Sequence, residues 1–249
     1  MDKKDIFIDN SFAIGGFTAG ANGIWTRESP DSPPTEDYIR FCEDMGISLD
    51  RVIRPYQANA MKAAEVSPYH GGSGVIRDNE LTKTDGLVTS HSGLMLSVIA
   101  ADCAPVYLMD EKAGVIGLLH CGWRSAAGEL IHNGVEKMKL LGASPENIKA
   151  VIGHHICKDC YEVKEDVRAE FAKQFSVKEL ESIFTVRDGH MYLDISRTII
   201  EKVQREGISH ENISDTGVCT CHNTDYYSYR RGDRGKQNLA FFMMRRKNS

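Results

Sequence analysis

No apolar run of about 18 residues occurs in this chain, and that absence excludes a helix spanning a bilayer. Positive charge is not in excess either. The 249 residues carry 30 Lys and Arg against 35 Asp and Glu, a net charge of −5. Bulk charge therefore draws neither nucleic acid nor an anionic membrane to it. The opening Met1-Asp2-Lys3-Lys4-Asp5 leads into only a short apolar stretch. That is not the pattern of a secretory signal, and a cytoplasmic location is expected. Internal repeats, low-complexity tracts and linkers are missing, so residues 1–249 are expected to form a single domain. The seven cysteines are odd in number. In a chain read as cytoplasmic they are reduced thiols open to metal binding or catalysis, not a disulfide framework.

What is present is an alternation of short apolar runs and helical patterns. Strands are predicted at Asp5 to Asp9, Ser11 to Ile14, Arg51 to Tyr56, Gly86 to Thr89, Leu94 to Ala100, Ile148 to Ile152 and Asn238 to Met244. Val106 to Met109 and Val115 to Leu119 predict a hairpin around Asp110 to Gly114. Gly15 to Gly23 predicts a turn or a close approach, and Ser29 to Pro34 a loop. Thr35 is placed to cap a helix running to about Met45. Leu130, Ile131, Val135, Met138 and Leu141 recur at helical spacing and predict one helix from Arg124 to Leu141, stopped at Gly142. Lys164 to Phe175 and Ile195 to Glu206 predict two more. The expected class is a mixed sheet flanked by helices within one α/β or α+β domain.

Chemistry concentrates where two apolar runs end. Leu94 to Ala100 runs into Asp102-Cys103, and Val115 to Leu119 into His120-Cys121-Gly122-Trp123-Arg124. A thiol and an imidazole at two strand ends can share a zinc ion or form a nucleophile–base pair. Each could equally be a packed core residue. Arg124 starts a helix, a setting that favours phosphate or carboxylate. Tyr229, Arg230 and Arg231 combine an aromatic face with cations, which suits a planar ring bearing an anion; a solvated basic strand is the plain alternative. Asp102 is the candidate acid or base nearest Cys103, or a strand-end hydrogen-bond acceptor. Cys157, Cys160, Cys219 and Cys221 could build a closed zinc site or be ordinary buried thiols. His154 and His155 are adjacent, and in a strand they face opposite sides.

Together these segments resemble the YfiH-like family, also called the multicopper polyphenol oxidoreductase or laccase-domain family. The matching pieces are Thr84 to Thr89, Ala101 to Pro105, His120 to Arg124, Cys160 to Val163, Leu193-Asp194, Cys219-Thr220 and Tyr227 to Arg231. The resemblance implies a YfiH-like α/β sandwich and a zinc-dependent purine nucleoside enzyme. Such enzymes phosphorolyse adenosine, inosine, guanosine and methylthioadenosine, and some deaminate adenosine. Purine nucleoside and phosphate are then the partners, and zinc the cofactor. It also implies a His, Cys, His metal site in which Cys103 and His120 are the second and third ligands. The first departs from the pattern: Gln57-Ala58-Asn59 stands where the family carries Gln-x-His. Asn59 is a poor zinc ligand, and His70 in the following Gly-rich loop is the other candidate. His154 stands where members carry proline.

Two further readings are open. Loss of the first ligand could leave a protein that binds a nucleoside or cell-wall metabolite without turnover, and the resemblance implies a peptidoglycan-editing role for such a protein. Cys103 with His120 could also serve a metal-free cysteine hydrolase. Copper oxidase chemistry finds no support, because the nine histidines are scattered and form no His-x-His pairs.

Overall fold

The computed structural model describes residues 3–19, 22–29 and 31–246. Gly20 of the expected glycine turn, Pro30 of the expected loop, and Met1-Asp2 lie outside the described residues. Two large sheets stack face to face. The first has β1 (Lys3–Asp9), β2 (Ala13–Ala19), β3 (Val52–Ile53), β6 (Met95–Ala100) and β14 (Asn238–Met244), in the order β1-β2-β14-β6-β3. The second has β4 (Ala63–Glu65), β5 (Gly86–Thr89), β7 (Ala104–Asp110), β8 (Val115–Cys121), β9 (Lys149–Ile152) and β13 (Ile213–Asp215), in the order β13-β9-β7-β8-β5-β4. Both are mixed: β3 runs parallel to β6, β4 to β5 and β13 to β9, and the other pairs are antiparallel.

Alternation along β7 shows how the layers form. Tyr107 and Met109 point between the sheets, against Phe17, Leu96 and Phe242 of the first sheet. The Tyr107 hydroxyl donates to Gly16 O across the gap, at 2.7 Å. Ala104, Val106 and Leu108 point outward under α2 (Trp123–Ala127), α3 (Leu130–Leu140) and α6 (Ile195–Arg205). With both faces covered, β7 and β8 are apolar almost throughout. On the far side, α1 (Glu36–Met45) lays Tyr38, Phe41 and Cys42 on the first sheet beside Trp25. A small appendage of β10 (Glu162–Val163), β11 (Phe184–Arg187), β12 (His190–Leu193), α4 (Glu165–Phe171) and α5 (Val177–Ile183) has its own core around Phe171, Phe175 and Leu193.

Three expectations change. Gly15 and Gly16 lie inside β2, not in a turn. There they permit a close approach: a Cβ on Gly15 would sit 2.8 Å from Phe242, and one on Gly16 would collide with the Asp5 carbonyl. The single helix expected from Arg124 to Leu141 is two, α2 and α3, broken at Gly128. A Cβ there would strike Met61. Residues 51–56 form only a two-residue strand after a 3-10 turn.

Candidate active site

The β7–β8 hairpin sets up the site by its register alone. Ala104 faces Cys121 and Pro105 faces His120. Cys103, one residue before β7, therefore meets Gly122, one residue after β8. A Cβ built on Gly122 would lie 3.2 Å from Cys103 Sγ and 2.5 Å from Asn59 Oδ1. The thiol and the amide oxygen are thus neighbours over a glycine that leaves them room.

His120 Nδ1 bonds Asp85 Oδ1 at 2.9 Å, and the ring shares the cavity wall with Cys103. Asp85 is fully buried. Besides the imidazole, its carboxylate accepts from the N–H groups of Ala58, Asn59 and Ala60 at 3.0, 3.1 and 2.7 Å. One carboxylate so fixes both the loop bearing Asn59 and the ring of His120. Asn59 is held at φ 52°, a left-handed conformation that asparagine tolerates. Gln57 pins the same loop from the other side, exchanging two 2.8 Å bonds with the backbone of Ile99.

Burial opposes charge on His120, but Cys103 beside the ring and the Asp85 carboxylate outweigh it and raise its pKa from 6.5 to about 10. Asp85 is shifted down: burial works against its charge, while His120 and the backbone donors favour it. A raised histidine stabilises the fold fully below its unfolded value and loses that contribution as pH rises through its folded value. Metal-free protein is therefore expected to lose thermal stability between pH 6.5 and about 10, and His120→Gln to flatten that limb. The Asp85 contribution has the opposite sign and disappears in acid, below its ordinary 3.8. Melting temperatures measured in chelator across pH check both; a flat alkaline limb in the wild type contradicts the His120 pairing.

These groups open into a cavity of about 650 Å³, lined among others by Gln57, Asn59, Asp102, Cys103, His120, Arg124, Tyr161, Tyr229, Arg230 and Lys236. That size suits a small metabolite. Burial, chiefly, pushes the Tyr161 phenol well above its ordinary range, so the wall carries a neutral hydroxyl. Arg124 lies with its guanidinium carbon 4.1 Å from the Trp123 ring centroid.

Several expected site residues hold the walls. Asp102, at φ 89°, accepts from Thr220 Oγ1 and from Arg230 N, both at 2.7 Å. Arg230 donates from its guanidinium to the carbonyls of Cys160 and Glu162, at 2.9 and 2.8 Å. Arg231 is turned away from the cavity. Its guanidinium gathers the carbonyls of Thr220, Cys221, Asn223 and Tyr226 and pairs with Asp233. His70 sits in the turn Pro68–His70 and bonds Ser67, and it does not line the cavity. His154 is a core residue, bonded to Asp5 and Thr216 at 2.9 Å each among the rings of Phe7, Phe17 and Tyr226. Burial lowers its pKa. Because Arg230 ties the last loop to the appendage, Arg230→Ala is expected to cost about 1–2 kcal/mol in chemical denaturation. An unchanged denaturation midpoint would show those bonds to be idle.

A family model described as multi-copper polyphenol oxidoreductase laccase matches residues 27–245. This chain belongs to that family. Within the laccase-like family, a purine nucleoside phosphorylase of Deinococcus radiodurans is 32% identical over 220 residues, covering 87% of this chain and 80% of the relative. A protein named adenosine deaminase RL5, from an unknown prokaryotic organism, is 29% identical over 196 residues, covering 78% and 74%. The fold matches that of YfiH from Bacillus licheniformis, with a TM-score of 0.82 and 24% identity over 96% of this chain and 99% of that one. YlmD from Geobacillus stearothermophilus gives the same TM-score at 25% identity, over 94% and 92%. His120 is the one imidazole lining the cavity among the described residues, and a multicopper oxidase needs many.

Proposed function

We propose that this chain is a purine nucleoside phosphorylase acting in the 650 Å³ cavity, with adenosine, inosine, guanosine and methylthioadenosine as substrates and adenosine deamination as a second activity. The observation that carries this reading is the convergence of Cys103 with an Asp85-oriented His120 in a cavity lined by Arg124 and Lys236. The names of the relatives point the same way. The donor set fits zinc in part. Asp85 occupies Nδ1 of His120 and leaves the other ring nitrogen for a metal, with the carboxylate behind the histidine as in many zinc sites. Zinc held by Cys103 and His120 would supply Lewis acidity.

The chain's own residues do the rest. Arg124 and Lys236 hold phosphate beside the ribose. A phosphate oxygen forms the new bond to C1′ as the bond from C1′ to the purine breaks, and the purine leaves with the electron pair. Tyr161 offers its hydroxyl at the wall, and Tyr229 an aromatic face for the base. Asp102, next to Cys103 in the chain, is a positioning residue whose carboxylate joins Thr220 Oγ1 to the backbone N–H of Arg230. Purified protein with inosine tests this. Hypoxanthine release is expected only with phosphate, one ribose 1-phosphate per base. Binding without turnover would instead favour a nucleoside-binding protein.

Asn59 makes the third position weak. Asn59→His is expected to raise zinc affinity by about tenfold or more, read by competition with a chelating dye. No gain would place the third ligand elsewhere. The aligned Cys103, His120 and Asp85 also support a second reading, a metal-free thiol hydrolase. Turnover that survives complete metal removal and is then abolished by thiol alkylation would select it.

A further inference from the structure

Two loops outside the cavity carry a second constellation. One, Cys157-Lys158-Asp159-Cys160, links β9 to β10. The other, Cys219-Thr220-Cys221-His222, links β13 to β14. Backbone bonds lay them side by side: His155 N donates to Val218 O and Thr220 N to His155 O. The sulfurs of Cys157, Cys160 and Cys219 and a ring nitrogen of His222 all lie within 4.8 Å of one another. His222 Nε2 is 3.1 Å from Cys160 Sγ. A tetrahedral zinc site needs its ligand atoms about 3.5–3.8 Å apart, so a small contraction closes this one.

The local backbone is already shaped for it. Each loop is a two-residue-spaced knuckle, Cys-x-x-Cys in one and Cys-x-x-His in the other. Cys157 N donates to Cys219 Sγ at 3.3 Å, which ties one knuckle to the other. Cys221, one of the four thiols the sequence offered for a closed site, lies outside this group.

We propose that Cys157, Cys160, Cys219 and His222 bind a structural zinc ion. Three thiolates and an imidazole in a tetrahedral set select zinc and leave no open position for substrate. The ion staples together two loops that brace the cavity wall from behind. Cys160 O of the first loop and Glu162 O of the adjoining β10 hold Arg230, and Thr220 of the second holds Asp102 beside Cys103. This site is separate from Cys103 and His120 and stands whether or not the cavity binds metal.

The test uses the full chain, reduced, in a Cys103→Ala background that removes the cavity thiol. Cobalt(II) titration is expected to saturate at about one ion per chain, with intense thiolate-to-cobalt charge transfer and the visible bands of tetrahedral cobalt. His222→Cys should keep that ion and strengthen the charge-transfer band. Cys157→Ser with Cys160→Ser should lose tight binding. Absence of the thiolate bands in the Cys103→Ala protein overturns the proposal, and so does a band that neither cluster variant alters. Should the double serine variant fail to fold, the first two spectra decide the matter by themselves.

Discussion

Asp85→Ala is expected to lower stability by about 3–5 kcal/mol and to remove turnover. The buried carboxylate serves four donors at once: three consecutive backbone N–H groups and the His120 ring. Truncation removes the acceptor that all four share, and each unmade bond costs about 1–3 kcal/mol. Asp85→Asn separates the roles. It keeps the volume but exchanges one acceptor for a donor that must face either the loop or the imidazole. A loss of about 1–3 kcal/mol is expected, with kcat/KM down about 10- to 100-fold. Chemical denaturation and nucleoside kinetics measure the two. Wild-type turnover in Asp85→Asn would show that His120 needs no orienting partner.

Gly122→Ala is expected to act almost wholly on function. Gly122 has an ordinary φ of −74°, so alanine brings no backbone strain. Its methyl would lie 2.5 Å from Asn59 Oδ1 and 3.2 Å from Cys103 Sγ. Both atoms must retreat, and displacement of reacting groups by about 1 Å can cost on the order of 100-fold in rate. A fall of that size in kcat/KM is expected, with a melting temperature within a few degrees of wild type. Full activity would mean that the sulfur and the amide can separate freely, and that the site does not depend on their spacing.

The hairpin, the closing strand and the amphipathic helices were legible because periodicity and burial agree there. The run Asn238 to Met244 is β14 to the residue, since a strand central to a sheet needs both faces apolar. The thiol–imidazole meeting was legible for a related reason: a hairpin's register follows from its turn. Asp85 was not. It lies in the quoted segment Thr84 to Thr89, yet its role depends on the distant loop at residues 58–60 folding over it, and nothing local marks that. Arg230 lines the cavity but also bonds two carbonyls, and Arg231 turns to a cluster of four, because a guanidinium suited to phosphate is equally suited to carbonyls. Only the arrangement of loop ends decides between them. His222 was passed over in favour of Cys221 because a count of thiols ignores which positions of a turn converge.

The place of β14 has a consequence for how the protein is made. It pairs with β2 on one side and β6 on the other, so the first sheet stays split until residues 238–244 arrive. A growing chain on the ribosome can form the β7–β8 hairpin early, from neighbours in sequence. It must then wait with β2 and β6 edges open until the last strand emerges. Assembly is thus a late, long-range event, and the half-built sheet is the state that a chaperone would have most reason to hold.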